Sequence, residues 1–244
     1  MKNEIILGDC LEIMNKIESN SINLVLCDLP YGVTSQNKWD VIIPFAPLWE
    51  QYNRIIKDNG AMIFTATEPF ASMLISSNIK DFRYDLIWVK NKSTGFLNSK
   101  KMPLRAHERI LVFYKSLPTY NPQKTTGHKP ANSYTKHTSD RTNYGKTKLG
   151  ISGGGQTDRY PTSVIKINVH NNDSKDKYHP TQKPVELMEY LIKTYTNKGD
   201  IVLDNCCGSG STLIAAKILE RQFIGIEKEE NYYNVCLERM SKLL

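Results

Sequence analysis

Apolar residues in this chain fall into short runs that stop at Gly, Asp, Asn or Pro, separated by stretches of helical spacing. Ile5-Ile6-Leu7 ends at Gly8-Asp9, and Ile22 to Cys27 (INLVLC) ends at Asp28-Leu29-Pro30-Tyr31-Gly32. Both runs are too short for helices and finish in turn chemistry, so they predict strands. Leu11 to Ile17, between them, has helical spacing. Further on, Pro47 to Lys57 predicts a helix stopped by Asp58-Asn59-Gly60. Ala61–Thr65 then predicts a strand, Pro69–Ser77 a helix, and Tyr84–Val89 and Glu108–Tyr114 two more strands, with Leu86, Ile110 and Val112 assigned to the core.

Near the C-terminus, Val185–Tyr195 predicts an amphipathic helix with Pro184 at its first turn. Ile201–Leu203 predicts a strand ending at Asp204, Ser211–Leu219 a helix, Phe223–Ile226 a strand ending at Glu227, and Tyr232–Leu243 a last helix. Strands alternating with helices predict an α/β fold with a mostly parallel, doubly wound sheet.

Between Lys115 and Lys183 this periodicity fades. Gly, Ser, Thr, Asn, Lys and His dominate, around Gly153-Gly154-Gly155. The stretch holds 12 Lys and Arg against four Asp, an excess larger than the whole chain's net +7. A long basic irregular stretch inside a compact protein is usually functional or disordered. Residues 115–178 are therefore taken as an inserted recognition region within a single domain spanning 1–244. The charge makes a polyanionic partner plausible.

The five cysteines form no C-x-x-C pair, and His128, His137, His170 and His179 are scattered, so no metal site is expected. Reduced thiols fit a cytoplasmic protein. The first residues, interrupted by Asp9, do not make a signal peptide, and no apolar run reaches membrane-spanning length.

Two strand-end motifs carry the candidate chemistry. Asp204-Asn205-Cys206-Cys207-Gly208-Ser209-Gly210-Ser211-Thr212 follows one strand and opens a helix, and Glu227 ends the next strand 23 residues after Asp204. Glycines allow close approach of backbone to ligand, and an acid at that distance suits ribose hydroxyls, so the spacing suggests a nucleoside cofactor. A plain strand–helix turn explains the glycines equally well. A nicotinamide-binding fold would want a third glycine, which is absent. The second motif, Asp28-Leu29-Pro30-Tyr31-Gly32, offers a carboxylate, carbonyl acceptors beside a proline, and an aromatic ring expected to be exposed. That set suits a planar base bearing an amino group, although a simple turn would also account for it.

Taken together the motifs resemble the DNA amino-methyltransferases in the circularly permuted order called the beta class. Asp28-Leu29-Pro30-Tyr31 resembles the family's D-P-P-Y, and Asp204 to Thr212 its D-P-F-x-G-S-G-T-T. His179-Pro180-Thr181-Gln182-Lys183-Pro184 matches H-P-T-Q-K-P, and Gly8-Asp9-Cys10 resembles the family's first strand end. Leu29 departs from the first proline of its motif, and Asn205 and Cys206 replace a Pro-Phe pair whose aromatic lies near the cofactor's methionine part.

The resemblance implies a Rossmann-like fold, S-adenosylmethionine as cofactor, no metal, and DNA whose target base is flipped out. It implies direct methyl transfer to the N6 amine of adenine, with Asp28, Pro30 and Tyr31 at the base and Tyr31 stacked on it. The cofactor would meet Asp9 and Cys10 at the adenine end and Glu227 at the ribose. Asp28, Asp204, Cys206, Gly208, Gly210, Ser211 and Thr212 would surround its remainder, with Lys183 on its carboxylate. Lys90, Lys92, Lys100, Lys101 and Arg105 form a cluster with no acid between residues 90 and 105, expected on DNA phosphates, with Gly95-Phe96-Leu97 as a wedge. Two alternatives stay open: an N4-cytosine enzyme, which more often carries serine in place of Asp28, and a DNA-binding module without catalysis. Family habits also leave a homodimer, a cognate restriction endonuclease, and a prokaryotic, phage or mobile-element setting to be tested.

Overall fold

A computed structural model describes residues 2–32, 40–135, 150–169, 178 and 182–243. His179, Pro180 and Thr181 of the H-P-T-Q-K-P match lie outside the described residues, as do His137, His170, Lys136, Arg141, Lys146, Lys148, Lys175 and Lys177.

Eight strands form one sheet in the order β1 (Glu4–Leu7), β10 (Gln222–Glu227), β9 (Ile201–Asp204), β2 (Ile22–Cys27), β3 (Ile56–Ala66), β5 (Arg105–Phe113), β4 (Phe82–Thr94), β8 (Val164–Lys166). From β1 to β3 all neighbours are parallel, and only β5 runs antiparallel to its two neighbours. The central strands read as near-continuous apolar runs because both faces are covered. One face carries α1 (Cys10–Met14), α2 (Phe45–Ile55) and α3 (Phe70–Ser77), with Leu48, Tyr52, Phe64 and Phe70 in its core. The other carries α4 (Val185–Tyr195), α5 (Ser211–Ile218) and α6 (Glu230–Ser241), with Leu187, Leu191, Leu213 and Met240. In α2, Leu48, Trp49, Tyr52 and Ile55 fall on one stripe; in α4, Leu187, Leu191 and Tyr195 do the same.

The α/β reading with a mostly parallel sheet is correct, and four details differ. The chain does not pause between α2 and the next strand: β3 begins at Ile56, and Asp58-Asn59-Gly60 is a bulge inside its pairing with β2. Gly60 is needed there because a Cβ would meet the Asn23 carbonyl oxygen at 2.9 Å. Strands β4 and β5 are longer than apolar content suggested and pair as far as Thr94 with Arg105, so Lys90 and Lys92 lie on a strand. Val164–Lys166, within the stretch read as irregular, is the eighth strand, with Ile165 buried against Trp88. Pro184 caps α4 instead of sitting in its first turn.

Contacts divide the chain into Met1–Asn121 with Ser163–Leu244, and Pro122–Thr162. The second unit is held by a two-strand ladder, β6 (Tyr134–Thr135) with β7 (Ser152–Gly153), and a bridge between Thr125 and Arg159. Side chains supply the rest: Arg159 donates to the Lys129 carbonyl, and Lys124 pairs with Asp158 over the Tyr160 ring. Among the described residues no helix is long and apolar enough to cross a membrane.

Candidate active site

Because β1, β10, β9, β2 and β3 are parallel, their carboxyl ends share one edge of the sheet. Strand β5 runs the other way and brings its beginning to the same edge. Asp9, Glu227, Asp204, Asp28, Thr65 and Glu108 thus stand near one another from six strands. After β2 the sheet grows in one direction and after β9 in the other, so the edge between them is a topological switch point, where open α/β sheets bind ligands. A cavity of about 820 Å³ opens there and is lined by all six of those residues.

On the β9–β10 side the backbone does most of the work. Glu227 is buried, and its two oxygens accept from Gly208 N (2.7 Å) and Glu229 N (2.8 Å). Burial pushes its carboxyl above the usual range despite those donors. Asp204 accepts from Cys206 N at 3.2 Å, and burial pushes it up to about 7. Gly210 enters α5 with φ 82°, and a Cβ there would run into the Cys236 sulfur. Ser211 Oγ is buried without a hydrogen-bond partner, at the first residue of α5. Asp9 caps α1 by accepting from Leu11 N at 2.9 Å and pairs with Lys228 at 3.2 Å. Cys206 stands beside Cys10 and Cys27; its closeness and burial push the Cys10 thiol up, and burial pushes Cys27 up, so both are neutral.

The departures from the family motifs have local reasons. Asn205 accepts from the buried Tyr52 hydroxyl at 2.6 Å, so its side chain serves the core. Leu29 is 3% exposed and also packs in the core.

On the β2–β3–β5 side the arrangement is made of side chains. Asp28 Oδ1 accepts from Tyr31 OH at 2.5 Å and from Thr65 Oγ1, and Oδ2 accepts from Lys183 Nζ at 2.6 Å. Glu108 lies behind Lys183, with Nζ 3.3 Å from Oε2, and its Oε1 takes Lys90 Nζ at 3.0 Å. Burial would push Glu108 up, but the Lys183 and Lys90 ammoniums outweigh it and hold the carboxyl below the usual range. Burial likewise pushes Lys183 down, while Asp28, Tyr31 and Glu108 raise it well above the usual lysine range. The four charges are balanced and their hydrogen bonds largely made, which is the condition for burying ions at tolerable cost.

Three sequence expectations change here. Tyr31 is half-buried instead of exposed: Phe70 stacks on its ring at 5.0 Å and burial pushes its hydroxyl well up. Lys183 is drawn to the Asp28 side by two carboxylates, not to an open anion seat. Lys90, expected on DNA, has a side chain only 5% exposed because alternation along β4 puts it on the same face as Trp88, against Glu108. Lys92, Lys100, Lys101 and Arg105 are exposed as expected, and Lys92 and Arg105 lie at the cavity rim. At the tip between β4 and β5, Phe96 and Leu97 are 79% and 98% exposed. Thr65 and Glu108 were missed; the available signal was a polar residue at the cavity end of an otherwise apolar strand.

A family model described as a DNA methylase of the N6/N4 type matches residues 22–238. Among curated relatives, the DNA adenine methyltransferase YhdJ of Escherichia coli K12 is 29% identical over 257 residues, 97% of this chain and 82% of that protein. The type II methyltransferase M.BglII of Bacillus subtilis is 29% identical over 268 residues, covering 98% and 69%. Two solved structures share the fold: the M1.HpyAVI–SAM complex (TM-score 0.64, 24% identity, 97% and 98% covered) and the cytosine-N4-specific PvuII DNA methyltransferase (TM-score 0.70, 17% identity, 98% and 86% covered).

Proposed function

The chain belongs to the N6-adenine/N4-cytosine DNA methylase family, and from that premise we propose that it transfers a methyl group from S-adenosylmethionine to the N6 amine of adenine at a specific DNA sequence. The observation that carries this reading is one cavity holding two unlike halves: a glycine loop with Glu227, and Asp28 at the adjacent strand end. A chain built on this plan binds the cofactor at the first half and the flipped base at the second.

The cofactor half fits a nucleoside bearing an amino acid. Glu227 keeps lone pairs for ribose hydroxyls beyond its two backbone bonds, and Asp9 stands at the neighbouring strand end for the adenine, beside Cys10. Gly208 has open space where a Cβ would be, Ser211 Oγ awaits a partner, and Asp204, Cys206, Gly210 and Thr212 complete the loop. When bound, the cofactor supplies a methyl group on a sulfonium, already a good leaving group.

The chain's own task is to present the amine. An aromatic amine delocalises its lone pair into the ring. Acceptors on both N–H bonds, Asp28 and a carbonyl at Pro30, favour a tetrahedral nitrogen whose lone pair points at the methyl carbon. Such alignment accounts for as much as roughly 7–11 kcal/mol of a barrier. Flipping the base costs a few kcal/mol, which phosphate contacts by Lys92, Lys100, Lys101 and Arg105 offset, with Phe96 and Leu97 exposed to fill the stack. Residues 115–178, with the Pro122–Thr162 unit at their centre, are the region assigned to target recognition in a permuted single domain.

Support for adenine comes from Asp28 at the motif's first position and from YhdJ, a curated adenine methyltransferase similar over 97% of this chain. Methylated DNA digested to nucleosides and analysed by mass spectrometry tests it: N6-methyladenine is expected, and N4-methylcytosine alone would overturn the base while leaving the reaction in place. Pull-down from the native host tests for a restriction endonuclease, and sedimentation tests for a homodimer.

A further inference from the structure

We propose that Lys183 is a movable placeholder: its ammonium occupies the seat of the target amine on Asp28 in the empty site and transfers to Glu108 when the base enters. This rests on Asp28 being the amine's acceptor. The argument begins with the lone pairs of Asp28. Oδ1 already accepts two hydroxyls, from Tyr31 and Thr65. Among the described residues Oδ2 accepts only from Lys183, at 2.6 Å. An incoming amine therefore has Oδ2 as its natural acceptor, and that oxygen is taken by a cation.

The lysine has a second seat already built. Among the described residues Glu108 Oε2 is buried with no well-formed hydrogen bond, yet it stands 3.3 Å from the same Nζ. Buried acceptors without a donor are uncommon in folded proteins and call for an explanation. Here a short swing of the lysine's end would complete Glu108 and uncover Asp28. Lys90 on Glu108 Oε1 keeps the pair of carboxylates and pair of ammoniums balanced in either position. The same swing would clear Tyr31, over whose ring Lys183 lies 5.8 Å from the centroid.

Two consequences follow chemically. With the base absent, Asp28 is never an uncompensated buried charge. Once the nitrogen has gained the methyl group and released one proton to solvent, the methylated amine has one N–H fewer to donate, so Lys183 competes better for Oδ2 and helps expel the product.

The test uses Glu108→Gln, Lys183→Met and the double variant of the full-length protein. Thermal melting and cofactor titration first establish that each is folded and binds cofactor as the wild type does. Glu108→Gln strands Lys183 on Asp28, so single-turnover methyl transfer should fall roughly 30-fold, as for losing a hydrogen bond to a charged group. Removing the lysine removes the obstruction, so the double variant should regain most of that loss. Side chains in contact couple whatever their role, so the rescue counts for the placeholder only where methyl transfer recovers and the melting temperature does not. A second readout is DNA affinity for the target base against the same base lacking its amino group: the wild type should prefer the amine, and Glu108→Gln should lose that preference. Additive losses, or wild-type behaviour in Glu108→Gln, would overturn the placeholder. Retained activity in Asp28→Ala would instead overturn the site assignment beneath it.

Discussion

Glu227 and Asp28 are both carboxylates at the end of a parallel strand and line one cavity, yet they are held differently. Glu227 is fixed by two backbone N–H groups, from Gly208 and Glu229. Asp28 is fixed by three side chains, from Tyr31, Thr65 and Lys183. Backbone donors move only with the fold, so the glycine-loop half is rigid and leaves Glu227 with spare acceptor capacity. Side-chain donors can rotate away, so the Asp28 half is closed on itself until something replaces them. The difference suits a site that keeps one ligand kind throughout and admits another only at the moment of reaction.

The sharpest break in the comparison is Asp28→Ala. Methyl transfer should fall by at least about 10²–10³-fold, the scale for losing a group that stabilises developing charge. Cofactor affinity by calorimetry should stay close to wild type. A large loss of affinity would mean that the two halves are not separate.

The same difference explains what was legible in the sequence. A backbone-built half leaves a compact signature: a strand, two glycines at fixed spacing and an acid on the next strand. Those residues, Asp204 to Thr212 and Glu227, were readable, and the structure brings them together. The Asp28 half gathers Thr65 from β3, Glu108 from β5, Lys90 from β4 and Lys183 from the segment before α4. No local spacing links positions that far apart in the chain. Lys90 was misread as a DNA contact because its neighbours are basic; only the strand's alternation, visible once β4 extends to Thr94, turns it inward. Strand β8 was missed because three residues carry too little pattern.

A second break concerns Asp204, in the rigid half. Burial raises its pKa from an ordinary value near 4 to about 7. Between those values the folded state holds a proton that the unfolded state has released. This group's contribution to stability is therefore fully present below about pH 4 and lost as pH rises through 7. The full shift corresponds to about 4 kcal/mol as an upper figure. Asp204→Asn, which cannot ionise, should gain on the wild type in denaturant unfolding as pH is raised from 5 to 8. If the wild type gains instead, Thr212 and the Cys206 N–H hold the carboxylate charged and burial is not in control.

Glu227→Gln sharpens the comparison from the other side. It should weaken cofactor binding by roughly 1.5–3 kcal/mol, the range for hydrogen bonds to a charged group. DNA affinity without cofactor should be unchanged, which a fluorescence titration would read.

The smallest effect expected separates two lysines of similar sequence context. Lys90 and Lys100 belong to one acid-free basic run, but Lys90 is buried on Glu108 while Lys100 and Lys101 are exposed near the Phe96-Leu97 tip. A lysine on a phosphate releases a counterion, so each lost contact should lower the slope of log affinity against log salt by about 0.9. Lys100→Ala with Lys101→Ala should thus flatten the salt dependence by about 2 at most, while cofactor affinity holds. Lys90→Met should leave the slope unchanged and should not slow methyl transfer, because it leaves Glu108 with Lys183 alone and so biases Lys183 away from Asp28, uncovering the seat of the amine. A salt slope that flattens with Lys90→Met would return Lys90 to the DNA face and weaken the case for a self-paired half. A slope indifferent to Lys100 and Lys101 would move the phosphate contacts elsewhere, with the basic Pro122–Thr162 unit the next place to substitute.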